Sequence, residues 1–527
     1  MKKNIIWLFL LVFTTWGCFD DKGNYNYKEL NKITFENIPY NNSIYYGDPL
    51  DIVPKLTFSL DSVNVNLKYE WRILEDVIAT TPELHIEHFE YYAGKTSTLY
   101  FRVEDIDNQM LYIYKFLVTV AGTYQNGWLI LAEKDNKSSL SMIKINKQED
   151  EEGNVTRTYS LDTDIYNKVN DGELGAEPIK LHEHFNSQVF STKGQIMVAQ
   201  KSGSVELEGS SLAKVVDTEK EFVGDKYPQN FVLKDVAYTY ACGYLLANDG
   251  KVYYRVNSST EEYQSGRFFS MPKKDLETGK DFNCSRILLP NFNKSRSLIF
   301  LDKKDDQHSR MVFLSDSPYY PDRSGIQLTD IVLAKDATKP ENFTSLEDID
   351  KEVRFWGWHI NASETIDVIS ILRNRNDNKY YFHKFDYEIN WDDAVEYTPR
   401  FEKLFVGNDI VTDKTIFRLS AGTPFLYFTG GANNNELYYC TIDELTTNYE
   451  KVNIPFQDEI TSVEVNLEGD VIGIGLKNGE FYLIDADNTQ ESGILFHADA
   501  NKNIGRIVDC IYKVGNAYNA QSGSEIY

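Results

Sequence analysis

From Tyr124 onward one short pattern keeps returning: an apolar strand, a turn built on Asn, Asp or Gly, and an aromatic-rich strand. It occurs from Trp128 to Ile145, Gln195 to Leu207, Gly243 to Val256, Ser297 to Leu314, Ile366 to Phe385, Pro424 to Ile442 and Asp470 to Ile484. The turns include Asp135-Asn136, Ser202-Gly203, Asp249-Gly250, Asn376-Asp377 and Asn478-Gly479. Asp-Gly and Asn-Gly accept the positive φ of tight hairpins. An antiparallel hairpin cannot bury both faces of its sheet alone, so units repeated in this way need neighbours. A β-propeller over residues 122–516 is predicted, with seven blades first and eight next. The lone last strand, Gly505 to Lys513, is expected to pair with the first hairpin and remove two free edges. Further sandwiches in series would require Pro/Ser-rich linkers at ~100-residue intervals, which the sequence lacks.

Composition agrees with an all-β chain. The 35 Tyr and 30 Phe favour pleated, half-buried surfaces. The best helical period, Thr338 to Val353, contains Pro340 and allows at most a short surface turn or helix. Ahead of the repeats, residues 33–121 carry short alternating strands, among them Leu67 to Ile73, Thr98 to Glu104 and Tyr112 to Val120. This length and pattern suit an immunoglobulin-like sandwich with Trp71 as its core anchor. Gly47 to Leu50 and Asp105 to Asn108 read as turns, the second a solvated hairpin tip rather than a calcium loop.

The N-terminus reads differently. Lys2 and Lys3 precede an apolar run from Ile5 to Trp16 that stops at Gly17-Cys18. The run is shorter than the ~20 residues that span a bilayer and fits a secretory signal over residues 1–17. A cysteine directly after the small residue is the lipidation site of a bacterial lipoprotein, so Cys18 is expected to carry the acyl anchor. Residues 18–32 are then a flexible tether and residues 517–527 a C-terminal tail; Asp20 and Asp21 are either solvated linker charge or an export signal, the latter implied by their resemblance to the acidic residues that follow the lipidated cysteine in surface-exported lipoproteins of Bacteroidetes. The net charge of −26 argues against nucleic acid, which needs clustered Lys and Arg. The membrane is expected to be met through the lipid alone.

Chemistry leaves few traces. Cys242, Cys284, Cys440 and Cys510 lack CxxC spacing and are expected as buried small apolar residues, with a disulfide the lesser alternative. His182-Glu183-His184 puts two imidazoles on one side of an extended strand, but no third metal ligand is evident and a solvated loop is the simpler setting. No GxSxG elbow, P-loop or GxGxxG cradle is present. No cofactor, metal site or catalytic residue is assigned, and binding is preferred to catalysis as the functional class.

The lipobox, Asp20-Asp21, Gly23-Asn24-Tyr25, Tyr69-Glu70-Trp71 and the run Tyr124-Gln125-Asn126-Gly127-Trp128-Leu129-Ile130-Leu131 together resemble the PKD-like lipoproteins of Bacteroidetes. The resemblance implies a PKD-like N-terminal sandwich and an accessory role beside a SusC/SusD-like importer at the outer-membrane surface. No Gly-Asp-Gly follows Trp71, a departure from a typical PKD repeat.

Loops and exposed aromatic rings are where sugars or peptides would be held. The candidates are Tyr319, Tyr320 and Arg323 in a Pro-flanked segment, Trp356 and Trp358 two apart on one strand, and Trp391. Packing between blades is the alternative for each. Two functions follow: a propeller that grips an oligosaccharide or peptide for the importer, or a subunit that docks on the importer without touching substrate. A propeller hydrolase is third.

Overall fold

The computed structural model describes residues 29–60, 65–74, 76–92, 94–185, 194–239, 241–257, 264–275, 279, 282–289, 297–316, 328–361, 365–390 and 394–515. Its first nine strands are β1 (Ile33–Glu36), β2 (Asn41–Tyr45), β3 (Leu50–Ile52), β4 (Lys55–Phe58), β5 (Leu67–Ile73), β6 (Asp76–Ala79), β7 (Leu84–Ile86), β8 (Lys95–Asp105) and β9 (Met110–Ala121). The chain divides into two compact units. The first holds the described residues through Pro39, with Asp51–His85 and Thr98–Phe116; the second holds Tyr40–Leu50, Ile86–Ser97 and the described residues from Leu117 onward.

In the first unit β5 lies between β6 and β8, and β1 pairs antiparallel with β4. Alternation along β5 sends Trp71 and Ile73 inward, where both are fully buried. The Trp71 indole stacks on Phe101 at 4.1 Å between centroids and donates its Nε1 proton to the Thr81 carbonyl at 2.9 Å. Phe35, from the β1–β4 pair, meets Phe101 edge-on at 5.6 Å, so the pair covers this face as the second layer of a sandwich. Trp71 is thus the expected anchor. Asp105–Asn108 is the expected turn, but Asp105 is buried rather than solvated, its carboxylate accepting from the Asn108 backbone and side-chain amides.

The second unit contains all seven hairpins. The first joins β10 (Gly127–Lys134) to β11 (Lys137–Glu149), with β12 (Val155–Asp162) beside β11 and a short helix α1 (Ile165–Asn170) after it. Four-stranded runs follow: β13 (Ala176–His184), β14 (Gln195–Ser202), β15 (Val205–Glu208) and β16 (Lys214–Asp217). Then come the three strands β17 (Leu233–Tyr238), β18 (Cys242–Ala247) and β19 (Val252–Val256). The next are β20 (Cys284–Leu288), β21 (Ser297–Lys303), β22 (Ser309–Ser315) and β23 (Thr329–Leu333), and β24 (Glu352–Ile360), β25 (Ile366–Arg373), β26 (Tyr380–Ile389) and β27 (Val395–Leu404). The last are β28 (Phe417–Leu419), β29 (Phe425–Gly430), β30 (Glu436–Thr441) and β31 (Glu450–Lys451), and β32 (Ile460–Val465), β33 (Val471–Leu476), β34 (Phe481–Asp485) and β35 (Ile494–Ala498).

The final strand β36 (Arg506–Lys513) pairs antiparallel with β10, Trp128 opposite Tyr512, which is the predicted closure. Each hairpin packs on the next through an apolar core, and Trp128 with Phe481 and Leu483 joins the last hairpin to the first. The arrangement is propeller-like, but the expected seven separate blades, or eight, are corrected. Four blade sheets stand alone: β13–β16, β17–β19, β28–β31 and β32–β35. The other three hairpins lie in two larger sheets. The merger has a local cause: β23 pairs β22 over only two residues and then runs parallel to β27, Ile331 opposite Val395, fusing two units into eight strands.

The first hairpin is extended in the same way. β11 outlasts β10, and its overhang at Lys147–Glu149 takes β2 as an antiparallel neighbour; β2 in turn runs parallel to the end of β9, Tyr45 opposite Ala121. Tyr45 is fully buried there; its hydroxyl donates to the Asn126 carbonyl at 2.5 Å and accepts from the Ile145 amide at 3.2 Å. Lys144 pairs with Asp48 at 2.8 Å. Segments of the expected 33–121 sandwich therefore group with the second unit. All four described cysteines are free and buried, the apolar role expected of them.

Candidate functional site

Within the second unit the first strand of each hairpin sheet packs against the first strands of its neighbours, in the order β36–β13–β17–β20 and β24–β28–β32–β36. A strand that meets its counterparts on both sides is the inner strand of a ring. These strands should be apolar if they only filled space. Each instead carries charge: Lys180, Asp235, Arg286, Glu352 and Arg354, Arg418, Glu464 and Asp509.

Polar bonds tie one inner strand to the next. Lys180 on β13 pairs with Asp235 on β17 at 2.6 Å. Lys234 on β17 donates to the Ser285 carbonyl on β20 at 2.9 Å. The His359 imidazole on β24 lies 3.3 Å from the Ser420 carbonyl just past β28. Arg418 on β28 pairs with Glu464 on β32, and the Ser462 hydroxyl on β32 donates to Cys510 Sγ on β36 at 3.2 Å. Asp509 on β36 accepts from the Leu181 amide on β13 at 2.7 Å. At the step from β20 to β24 the contact is apolar, Leu288 sharing a core with Val353 and Trp356.

Burial sets the proton affinities of these groups. It pushes the Glu464 carboxyl up to about 7 against the pull of Arg418, and Asp509 up to about 6 against the Leu181 amide and Lys180. Both therefore titrate near neutrality. Each is also held by a named donor on the neighbouring strand, so their first effect is to fix the ring's inner geometry.

A second polar cluster lies between the sheets of β13 and β17. Glu206 is fully buried; it accepts from the Tyr238 hydroxyl at 2.7 Å and Arg255 at 3.1 Å, and Arg255 also pairs with Glu221. One guanidinium thus serves two carboxylates. Burial and the nearby Glu206 charge raise Glu221 to about 8. The Tyr238 ring stacks on His184 at 3.8 Å and His182 at 5.6 Å. His182 and His184 do share one side of an extended strand, but not in a solvated loop: β13 is an inner strand, and burial holds both imidazoles far below their ordinary range. Glu183 points the other way, accepting from the Val514 amide at 2.9 Å beside Lys513. Among the described residues no group of three or more His, Cys, Asp or Glu is arranged to hold a metal ion.

Of the aromatic candidates, Trp356 and Trp358 lie on β24. Trp356 is 7% exposed within the core shared with β20–β23, and Trp358 is half-buried against that core. Trp356 therefore packs between hairpins, and Trp358 keeps part of its ring open. Tyr319, Tyr320, Arg323, Trp391, Cys18, Asp20 and Asp21 lie outside the described residues. The inner-strand charges had escaped notice. Their signal is a lone charge inside a short apolar run, as in Val463-Glu464-Val465 or Ile507-Val508-Asp509-Cys510-Ile511.

Residues 18–178 match the PKD-like family. The match continues past the sandwich into β13. No curated protein matches the chain. Among solved structures it is similar to Sqt1 of Chaetomium thermophilum bound to the N-terminus of the ribosomal protein L10, at 9% identity, 63% of this chain, 77% of that chain and a TM-score of 0.38. It is also similar to Sqt1 of Saccharomyces cerevisiae (8%, 64%, 80%, TM-score 0.36). A third is the Pan2 WD40 domain of Neurospora crassa (9%, 64%, 79%, TM-score 0.35).

Proposed function

We propose that this chain is a lipid-anchored lipoprotein of the outer-membrane surface of a Bacteroidetes bacterium, whose ring binds an oligosaccharide or peptide without converting it, as an accessory subunit of a SusC/SusD-like importer. Cys18, Asp20 and Asp21 support the anchor and the surface address, and the PKD-like match over residues 18–178 supports the resemblance from which the importer is inferred. Trp358 carries the binding reading: a large ring, half-buried on an inner strand of a rigid scaffold, offers a flat face for a sugar or an apolar side chain.

The test is titration of the full chain with oligosaccharides and peptides that support growth of the source organism. Trp358→Ala is expected to weaken the bound ligand about tenfold. Unchanged affinity in that variant contradicts the reading. Retention of the importer with no ligand bound by the wild-type chain would favour the docking role instead.

A further inference from the structure

Among the described residues, six of the seven steps around the inner strands are closed by a hydrogen bond or ion pair, and the step from β20 to β24 is not. Arg286 on β20 lies within electrostatic reach of Arg354 and Glu352 on β24 and of Asp235 on β17, and among the described residues its guanidinium makes no hydrogen bond or ion pair. The neighbouring carboxylates are already engaged. Asp235 is bonded to Lys180 at 2.6 Å, and Glu352 to Arg354 at 3.0 Å with Arg373 at 3.7 Å. Arg354 and Arg373 also share Asp413, at 3.3 and 3.4 Å.

Further positive charge surrounds the position. Lys234 reaches the carbonyl of Ser285, the residue directly before Arg286. Burial lowers the proton affinity of Lys234 most, and Lys303 and Arg286 lower it further; burial also leads for Arg286, with Arg354 adding to it, so these cations lie close enough to repel one another. Cations held this close repel one another, and an anion bound among them relieves that repulsion. Arg286 is half-buried, and its planar donors match a carboxylate in a way that a lysine ammonium does not.

Leu288, two residues along β20, belongs to the same core as Trp356, and Trp358 packs against that core. A partly open indole and a guanidinium that makes no hydrogen bond or ion pair among the described residues therefore both border the core that joins β20 to β24. We propose that Arg286, flanked by Lys234 and Arg354 and accompanied by Trp358, binds the carboxylate of a uronic-acid oligosaccharide between β20 and β24. The sugar ring meets the indole while the acid group meets Arg286. This rests on the ligand-binding reading above and narrows it to acidic sugars. An acidic peptide supplies the carboxylate without the apolar C–H face of a sugar ring, so the indole favours the sugar.

The experiment titrates the full chain with a galacturonic-acid trisaccharide, the corresponding neutral galactose trisaccharide and a tri-glutamate peptide, at low and high salt. The uronate is expected to bind most tightly, with an affinity that falls as salt rises. Arg286→Gln is expected to cost roughly 10- to 100-fold for the uronate and little for the neutral sugar. The Arg286→Lys variant should keep the preference for acid with weaker affinity, which guards against a glutamine variant that fails to fold. Equal affinity for uronate and neutral sugar, an unchanged Arg286→Gln variant, or preference for the peptide overturns the proposal. Binding of the neutral sugar alone overturns it and leaves the broader ligand reading standing, whereas no binding by any ligand, within the growth-supporting set as well, overturns both.

Discussion

At the residue scale, the second unit departs from a simple apolar interior through a few charges placed where strands converge. Glu464 is the clearest. Its carboxyl is buried on β32 with a proton affinity near 7, against an ordinary value of 4.5. A carboxyl whose folded value is raised contributes stability that is fully present below pH ~4.5 and is lost as pH climbs through about 7. Ionising it in place costs about 3 kcal/mol relative to the unfolded chain. Glu464→Gln, which mimics the protonated form, should stay close to the wild type in urea unfolding at pH 4 and gain on it by up to that amount at pH 8. A pH-independent difference between the two would show that Glu464 is ionised throughout. Such charges are hard to see in sequence, because a lone Glu or Asp in a short strand reads as its solvent face. The register that turns Glu464 inward is set by tertiary pairing.

At the element scale, the hairpins were legible because their signal is local: alternating strands about a turn with positive φ, such as Gly250 at +86° and Gly479 at +91°. The closing strand was legible for the same reason, as an apolar run with no partner in its own neighbourhood. Lateral pairing was not. Neither the parallel contact of β23 with β27 nor the docking of β2 on the overhang of β11 leaves a mark in composition, since backbone bonds make both. That docking gives a prediction. Tyr45 fills the space between β2 and the first hairpin and bonds to Asn126 and Ile145. Tyr45→Ala should destabilise the second unit by about 3–5 kcal/mol, the cost of removing a buried aromatic ring together with its hydrogen bonds. Denaturant unfolding followed by circular dichroism checks this. A loss below about 1 kcal/mol would mean that β2 contributes little to holding the first hairpin.

At the scale of the whole molecule, a sandwich unit and a propeller-like unit follow from one physical constraint, the need of antiparallel hairpins for neighbours on both faces. The site is the less legible part. Sequence pointed to aromatic pairs, and β24 divides one of them: Trp356 enters the core and Trp358 keeps part of its face. The charges proposed to act with Trp358, Lys234, Arg286 and Arg354, come from three successive inner strands, and the packing of consecutive hairpins gathers them. No local motif encodes that gathering. The central claim is that this ring holds a ligand without changing it. Its most direct measurement is calorimetric titration of the full chain with the growth-supporting oligosaccharides and peptides, followed by chemical analysis of the recovered ligand. The account predicts saturable binding with the ligand recovered intact. Recovery of a cleaved or modified ligand, or heat that never saturates for any of them, would contradict it.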